Sequence, residues 1–154
     1  MLLQKDNVEL EKLLQLEQEL QFETFDSEIA FKIAEEIKNS VSAQNLSSVG
    51  IQIYFENKVV LHYLMVGRKE SPWLARKTKT VMDSGHSSLY TFYMKAVNPT
   101  FVEWEKTDEY AICGGGFPIF QNNQLKGAIC VSGLDHLADH ELIIAALTKL
   151  LQKG

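Results

Sequence analysis

The chain has 154 residues and a formal net charge of −5, and 45% of its residues are hydrophobic. These values are typical of one folded domain with a buried core, so we expect a single domain over residues 1–154. No cluster of Lys and Arg is longer than ARKTK, so a nucleic-acid partner is not expected.

A membrane partner is not expected either. No apolar run reaches the roughly 18 residues that a membrane helix needs. The first residues, MLLQKDNVELEK, lack the basic and apolar regions of a secretory signal. We therefore expect a cytoplasmic protein.

The first third of the sequence predicts two helices. Apolar residues recur at helical spacing in NVELEKLLQLEQELQF, which predicts an amphipathic helix over about residues 7–21. Its polar face is acidic, so it should pack on the protein body or on a neighbouring subunit, not on a membrane. Asp26 is a favourable N-cap for the second helix. The apolar stripe of that helix consists of Ala30, Ile33, Ala34, Ile37 and Val41.

An antiparallel hairpin is predicted next. Apolar residues alternate from Val49 to Phe55, are interrupted by the sequence ENK, and alternate again up to Leu64. A two-residue loop at Asn57 and Lys58 would place His62 opposite Ile53. A lone histidine in such a strand is more often structural than a ligand.

Helices follow this hairpin. In SPWLARKTKTVMDSG, Ser71 is the expected N-cap and Pro72 the first helical residue. SSLYTFYMKAV predicts a short helix capped by Ser87 or Ser88. NPTFVEWEKTDEYAI is either irregular or includes a short helix. At the end of the chain, beyond the second hairpin, LDHLADHELIIAALTKLLQKG predicts the last helix, which begins at Asp135 or Asp139.

A second hairpin follows three consecutive glycines in CGGGFPIFQNNQLKGAICVSG. A turn at Asn122–Asn123 would pair Gly115 with Cys130 and Cys113 with Ser132. Neither face of this hairpin is polar, so helices should cover one face, and a subunit or a ligand the other. The two cysteines lie too far apart for a disulfide in this register, so we expect two reduced thiols.

The three glycines have two interpretations. Adjacent glycines lose backbone entropy on folding, so some gain should offset that loss. They allow either close packing of a helix on the strand or a pocket lined by backbone N–H groups. The pattern is not GxGxxG and no Walker-type lysine follows, so a nucleotide loop is not expected. The residues alone favour packing.

The element order, with strands in hairpin pairs and helices between them, predicts an α+β fold with an antiparallel sheet. The segment GGGFPIFQNNQLKGAICVSGLDHLADHELIIAAL resembles the motif of the GlcG/HbpS-like family, also called the haem-degrading domain family, which includes the C-terminal domain of PduO. WLARKTKTVMDSGHSS and LQFETFDSEIAFKIA resemble a branch of small uncharacterised bacterial and fungal proteins.

This resemblance implies a profilin-like fold, in which helices flank a central antiparallel sheet. It also implies homo-oligomers, and it makes haem the candidate cofactor. Branch members commonly carry His at the position of Cys113, so the role of that His falls to a thiol here or is absent. Haem is therefore expected to bind weakly if at all. His86 and His140 are candidate haem or metal ligands, but nothing in the sequence brings them together.

Three function classes stay open. The favoured one is a non-catalytic oligomer that binds a small anionic ligand, because no paired carboxylates or activated nucleophile stands out. The others are an enzyme acting on a small molecule or tetrapyrrole, and an interaction protein whose surface exists only in the assembly. No catalytic residue and no metal site is assigned. The candidate ligand-binding residues are Gly114, Gly115, Gly116, Arg76, Lys77, Ser87, Ser88 and Cys113.

Each charged or hydroxyl candidate has a structural alternative. Arg76 and Lys77 would offer positive charge to a carboxylate at a pocket rim, or they belong to a solvated helix face. Ser87 and Ser88 would present hydroxyl and N–H groups to an anion, or they cap a helix.

Overall fold

The computed structural model describes residues 2–152, in which helices pack on both faces of a four-stranded antiparallel sheet. Two helices come first, α1 (Gln4–Glu19) and α2 (Ser27–Ala43), and then β1 (Gly50–Phe55) and β2 (Lys58–Leu64). The rest of the chain forms α3 (Trp73–Ser84), α4 (Ser88–Met94), α5 (Pro99–Glu105), β3 (Gly116–Gln121), β4 (Gln124–Ser132) and α6 (His136–Leu151). The predicted α+β fold is confirmed.

The sheet has the strand order β2-β1-β4-β3, so the two hairpins join through β1 and β4. The main core lies between the sheet and helices α2 and α6, and it includes Ile53, Phe117 and Ile129. Helix α3 covers the other face, where Ala128 and Cys130 pack against it. The chain's own helices therefore cover both faces, and the expectation that a subunit or a ligand covers one of them is wrong.

The first hairpin turns one residue earlier than predicted. Its turn residues are Glu56 and Asn57, both with positive φ, and a register shift follows between Ile53 and Tyr54. His62 consequently pairs with Gln52 and not with Ile53. The prediction assumed a two-residue loop and regular pairing, and alternation of apolar residues does not reveal a bulge.

The second hairpin has the predicted Asn122–Asn123 turn, with φ of 52° and 65°. A register shift between Ile119 and Phe120 then places Gly116 opposite Cys130. The predicted partners of Gly115 and Cys113 are therefore wrong. The extra residue on β4 is Lys126, and it brings Phe117, Ile119 and Ile129 onto one buried face. Both cysteines are free, as predicted.

Side-chain caps begin four of the helices. The residues Asp26, Ser87, Asn98 and Asp135 accept backbone N–H groups at the first turns of α2, α4, α5 and α6. Ser71 does not cap α3, because Pro72 already has helical φ and ψ at the N-cap position and the helix starts one residue later than predicted. Within residues 2–152, no helix is both long and apolar enough to cross a membrane.

Helix α1 occupies Gln4–Glu19, where residues 7–21 were expected, and it packs on α4. A buried carboxylate attaches it there. Glu17 is 5% exposed; one of its oxygens lies 2.8 Å from His86 Nδ1, and the other accepts the Ser87 N–H at 3.0 Å. Glu17 thus joins α1 to the beginning of α4.

We expect Glu17→Ala to lower the free energy of unfolding by about 2 kcal/mol, because it leaves the buried Ser87 N–H without a partner. Glu19→Ala, on the exposed end of the same helix, should cost less than about 0.5 kcal/mol. Urea unfolding of the two variants measures the difference. Equal losses would show that Glu17 does not hold α1.

Candidate functional site

The three glycines lie where neighbouring groups approach the backbone closely. A Cβ added at Gly115 would lie 2.5 Å from Lys77 Nζ, and the φ of Gly115 is +118°. A Cβ at Gly116 would lie 2.9 Å from Val81 Cγ2, and one at Gly114 would overlap the carbonyl oxygen of His136. Close packing by itself therefore accounts for all three glycines.

The two candidate serines are fully buried. Ser87 Oγ accepts the Tyr90 N–H at 3.2 Å, which is the helix-cap interpretation. Ser88 Oγ accepts the Gly116 N–H at 2.9 Å and so connects α4 to β3. Both hydroxyls are used within the protein.

Arg76 is engaged with the segment that follows α5. Its guanidinium donates to the carbonyl oxygens of Tyr110 at 2.9 Å and Thr107 at 3.2 Å, and it lies over the Trp73 ring at 4.2 Å. Two of its five N–H groups are thus bonded to carbonyl oxygens, and one face of its plane is stacked on an aromatic ring.

Lys77 is buried and forms an ion pair. It is 3% exposed, and its Nζ lies 3.2 Å from Oδ2 of Asp139, which is 2% exposed. Nζ also donates to the carbonyl oxygen of Val131 at 2.8 Å, and Asp139 Oδ1 accepts the Leu134 N–H at 2.9 Å. Burial raises the pKa of the Asp139 carboxyl, and Lys77 opposes part of that rise. Within residues 2–152, the third N–H of Lys77 has no partner.

A cleft of about 250 Å³ opens beside this pair, between α3, the end of β4 and the start of α6. Of the predicted site residues, it brings together Lys77 and Cys113. The glycines 114–116, Arg76 and the two serines are not among its lining residues. The lining residues outside the predicted set include Arg68, Trp73, Ser132, His136 and Asp139.

Cys113 and His136 are both uncharged groups in this cleft. Burial raises the pKa of the Cys113 thiol, with the Lys77 charge opposing part of the rise, so the sulfur is protonated at neutral pH. Burial lowers the pKa of His136. Its Nδ1 accepts the Gly114 N–H at 2.9 Å, so the imidazole proton is on Nε2. The cleft therefore presents an S–H and an imidazole N–H, both of them donors.

The missed residues carried little local signal. Asp139 and His136 lie in the first turn of α6, where carboxylates and polar residues are common for helix stability alone. Arg68 is in the loop after β2, and the sequence does not show which loop residues meet α6. An acidic residue on the apolar side of a helix was the one usable sign for Asp139.

Most of the chain matches one known protein family. Residues 25–148 match the family model described as "Haem degrading protein HbpS-like". The chain belongs to this family. The resemblance found in the glycine hairpin and in the last helix is thereby confirmed.

The HbpS-like chain is similar to proteins of several organisms. A UPF0303 protein of Psychromonas ingrahamii is 36% identical over 149 residues, which is 93% of each chain. A UPF0303 protein of Yersinia pseudotuberculosis serotype O:3 is 29% identical over 143 residues, covering 89% of this chain and 83% of that relative.

Solved structures agree with the fold. The crystal structure of the Ybr137w protein has a TM-score of 0.82 and 26% identity, covering 92% of this chain and 86% of that one. HbpS has a TM-score of 0.69 and 16% identity, covering 86% and 94%. The structure titled PduOC:Heme complex has a TM-score of 0.67 and 15% identity, covering 80% and 94%. The last two show the fold alone.

The two histidines considered as haem or metal ligands lie in different surroundings. His86 contacts Glu17 and stacks on Tyr90, whereas His140 is buried in α6 and its Nδ1 has no hydrogen-bond partner. Among residues 2–152, no group of three His, Cys, Asp or Glu side chains is arranged to hold a metal ion.

We expect Lys77→Met and Asp139→Asn each to destabilise this HbpS-like protein by about 3–5 kcal/mol, because each leaves a buried group without its partner. The double variant should cost less than the sum of the single variants, with a coupling of about 1–3 kcal/mol. Urea unfolding of the four proteins measures that coupling.

The same cycle on the exposed pair Glu103 and Lys106 is the control, with an expected coupling below about 0.5 kcal/mol. If the two cycles give the same coupling, the buried pair does not contribute as described.

Proposed function

We propose that this HbpS-like chain is a non-catalytic binding protein that holds a small anionic molecule in the cleft beside Lys77 and Asp139. The observation that supports this most is the convergence of hydrogen-bond donors on one cleft whose only carboxylate, among residues 2–152, already has its partners.

The charge and the donors favour an anion. Arg68 and Lys77 supply two positive charges against the one carboxylate of Asp139, so the cleft has a net positive charge. Lys77 has one unused N–H, and the Nε2–H of His136 is a further donor. An oxyanion accepts several such bonds, and bonds to a charged acceptor are stronger than those between neutral groups. Lys77 takes part at the floor of the cleft, not at the rim as expected.

Binding without catalysis is favoured because the reactive groups are not activated. The Cys113 thiol is protonated, and protonated thiols are poor nucleophiles. His136 uses its free lone pair to accept the Gly114 N–H, so it has none with which to take a proton from a substrate. The cleft therefore recognises a ligand better than it transforms one.

Haem does not fit this cleft. About 250 Å³ is smaller than the roughly 300–1,000 Å³ that encloses a drug-sized ligand, and haem is larger than most such ligands. The Nε2 of His136 carries a proton and offers no lone pair to iron, and Cys113 is not a thiolate. We therefore propose a small carboxylate or phosphate as the ligand.

Succinate and its neutral analogue succinamide test this assignment, because they differ mainly in charge. Succinate should raise the melting temperature and succinamide should not. By calorimetry, Arg68→Gln should bind succinate at least about tenfold more weakly, because it removes a charge-assisted hydrogen bond. Lys69→Gln is the matched control on the neighbouring exposed residue and should keep the affinity within about twofold.

Three results would overturn the proposal. The first is that succinate and succinamide change the melting temperature equally. The second is that Arg68→Gln and Lys69→Gln bind succinate with equal affinity. The third is that none of succinate, citrate and inorganic phosphate raises the melting temperature. A saturable Soret shift with haemin that Arg68→Gln weakens would replace the small anion by haem.

We also propose that the chain assembles with copies of itself, at the open edge of the sheet. Strand β2 is an edge strand, and its Val59 and Tyr63 are 50% and 37% exposed, beside the 60% exposed Phe31 of α2. An apolar edge strand with few charges favours pairing with another chain. The two free thiols are consistent with the cytoplasm as the proposed location.

Light scattering at micromolar concentration should give a mass at or above twice the 17.5 kDa of one chain. Val59→Lys should lower that mass, because a charge on an edge strand opposes pairing. Val66→Lys, on a 95% exposed residue two positions beyond the strand, is the control and should not lower the mass. A monomeric parent would contradict the assembly.

A further inference from the structure

A larger groove lies between α1, α4 and α6, away from the cleft already described. Its volume is about 950 Å³, within the range of sites that enclose small organic molecules. Leucines of α1 form one wall, and Leu89 and Phe92 of α4 form another. His140 of α6 also lines it.

His140 is the exceptional residue of this groove. It is 3% exposed, and its Nδ1 has no hydrogen-bond partner among residues 2–152. An unpaired buried nitrogen destabilises a protein, and the large majority of buried polar side-chain atoms have a hydrogen-bond partner, so this nitrogen needs a partner that the described residues do not supply. Burial lowers the pKa of His140 to about 4, so the imidazole is neutral at pH 7.

The polar residues around the groove favour a neutral ligand. Lys5, Lys12 and Lys95 face an equal number of acidic residues, Asp6, Glu9 and Glu141. Lys12 pairs with Glu9 at 3.6 Å, and Lys95 pairs with Glu105 at 2.7 Å. The groove thus has no excess charge with which to hold an anion, unlike the cleft beside Lys77.

A hydroxyl group is the polar group that suits His140 best. A neutral imidazole has one donor and one acceptor nitrogen, and which nitrogen carries the proton depends on its surroundings. A hydroxyl both donates and accepts, so it pairs with either tautomer. The leucines and Phe92 would surround the rest of the ligand.

We propose that the groove between α1, α4 and α6 is a second binding site, which takes a neutral organic molecule with an apolar body and a hydroxyl group hydrogen-bonded to the His140 imidazole. This site is independent of the proposed anion cleft. It needs neither Arg68 nor Lys77.

The probes are 1-naphthol, naphthalene and 1-naphthoate, which share one ring system and differ in the polar group. We expect saturable binding of 1-naphthol, measured by its fluorescence, and weaker binding of 1-naphthoate. His140→Phe keeps a ring but removes both nitrogens. It should weaken 1-naphthol about fivefold to tenfold and leave naphthalene unchanged.

Two further variants locate the probe. Ala96→Trp adds a large side chain at an exposed residue of the groove and should abolish 1-naphthol binding, whereas Val97→Trp next to it should not. Arg68→Gln should bind 1-naphthol like the parent protein. In the parent, 1-naphthol should shift the imidazole nitrogen resonances of His140 in NMR spectra.

His140→Phe should also raise the melting temperature of the free protein, because it removes a buried nitrogen without a partner. A purely structural role of His140 would give the opposite change. The proposal is overturned if 1-naphthol does not bind, if His140→Phe binds it as well as the parent does, or if Ala96→Trp still binds it.

Two other occupants are separate outcomes that would also overturn it. One is a second copy of the chain. It is shown if the parent oligomer does not bind 1-naphthol and Ala96→Trp dissociates that oligomer. The other is haem, shown if haemin displaces 1-naphthol and gives a Soret shift that His140→Phe removes.

Discussion

The ion pair between Lys77 and Asp139 is the interaction on which the rest of the site depends. It is almost completely removed from water, and it connects three elements: α3, the end of β4 through the carbonyl of Val131, and the first turn of α6. A pair of buried charges is stable only when its geometry and remaining hydrogen bonds are satisfied, so these elements must stay in one arrangement. Gly115 is part of that arrangement, because any side chain there would displace the Lys77 ammonium.

The first turns of α6 serve both proposed sites. His136 lines the cleft and His140 lines the groove, and residues four apart are neighbours on one helix face. Gly114 lies against both: its N–H donates to the His136 imidazole, and an added Cβ would lie 3.3 Å from Cβ of His140. Burial lowers the pKa of both histidines, so neither brings a positive charge close to Lys77 at neutral pH.

Some parts of the fold and of the site were predictable, and the difference follows the range of the interactions. Asp26 was identified as a cap, and Asp135 as one of two candidates beside Asp139, because a cap bonds to N–H groups two or three residues away. The two register shifts were missed, since alternation of apolar residues does not reveal a bulge. Arg76 and Lys77 were treated as one cationic pair, although adjacent helical residues point in different directions. One stacks on Trp73, and the other is buried against Asp139.

The sequence by itself determined the order of helices and strands apart from α5, which it left open, together with the Asn122–Asn123 turn and membership of the HbpS-like family. Each depends on short motifs or on periodicity within one element, where neighbours in sequence are neighbours in space. Only the tertiary structure decided which polar residues meet. Lys77 and Asp139 are 62 residues apart, and nothing local to either residue indicates the other. The cleft and the groove exist because packing of the helices on a bulged sheet brings such distant residues together, at distances that depend on every element between them.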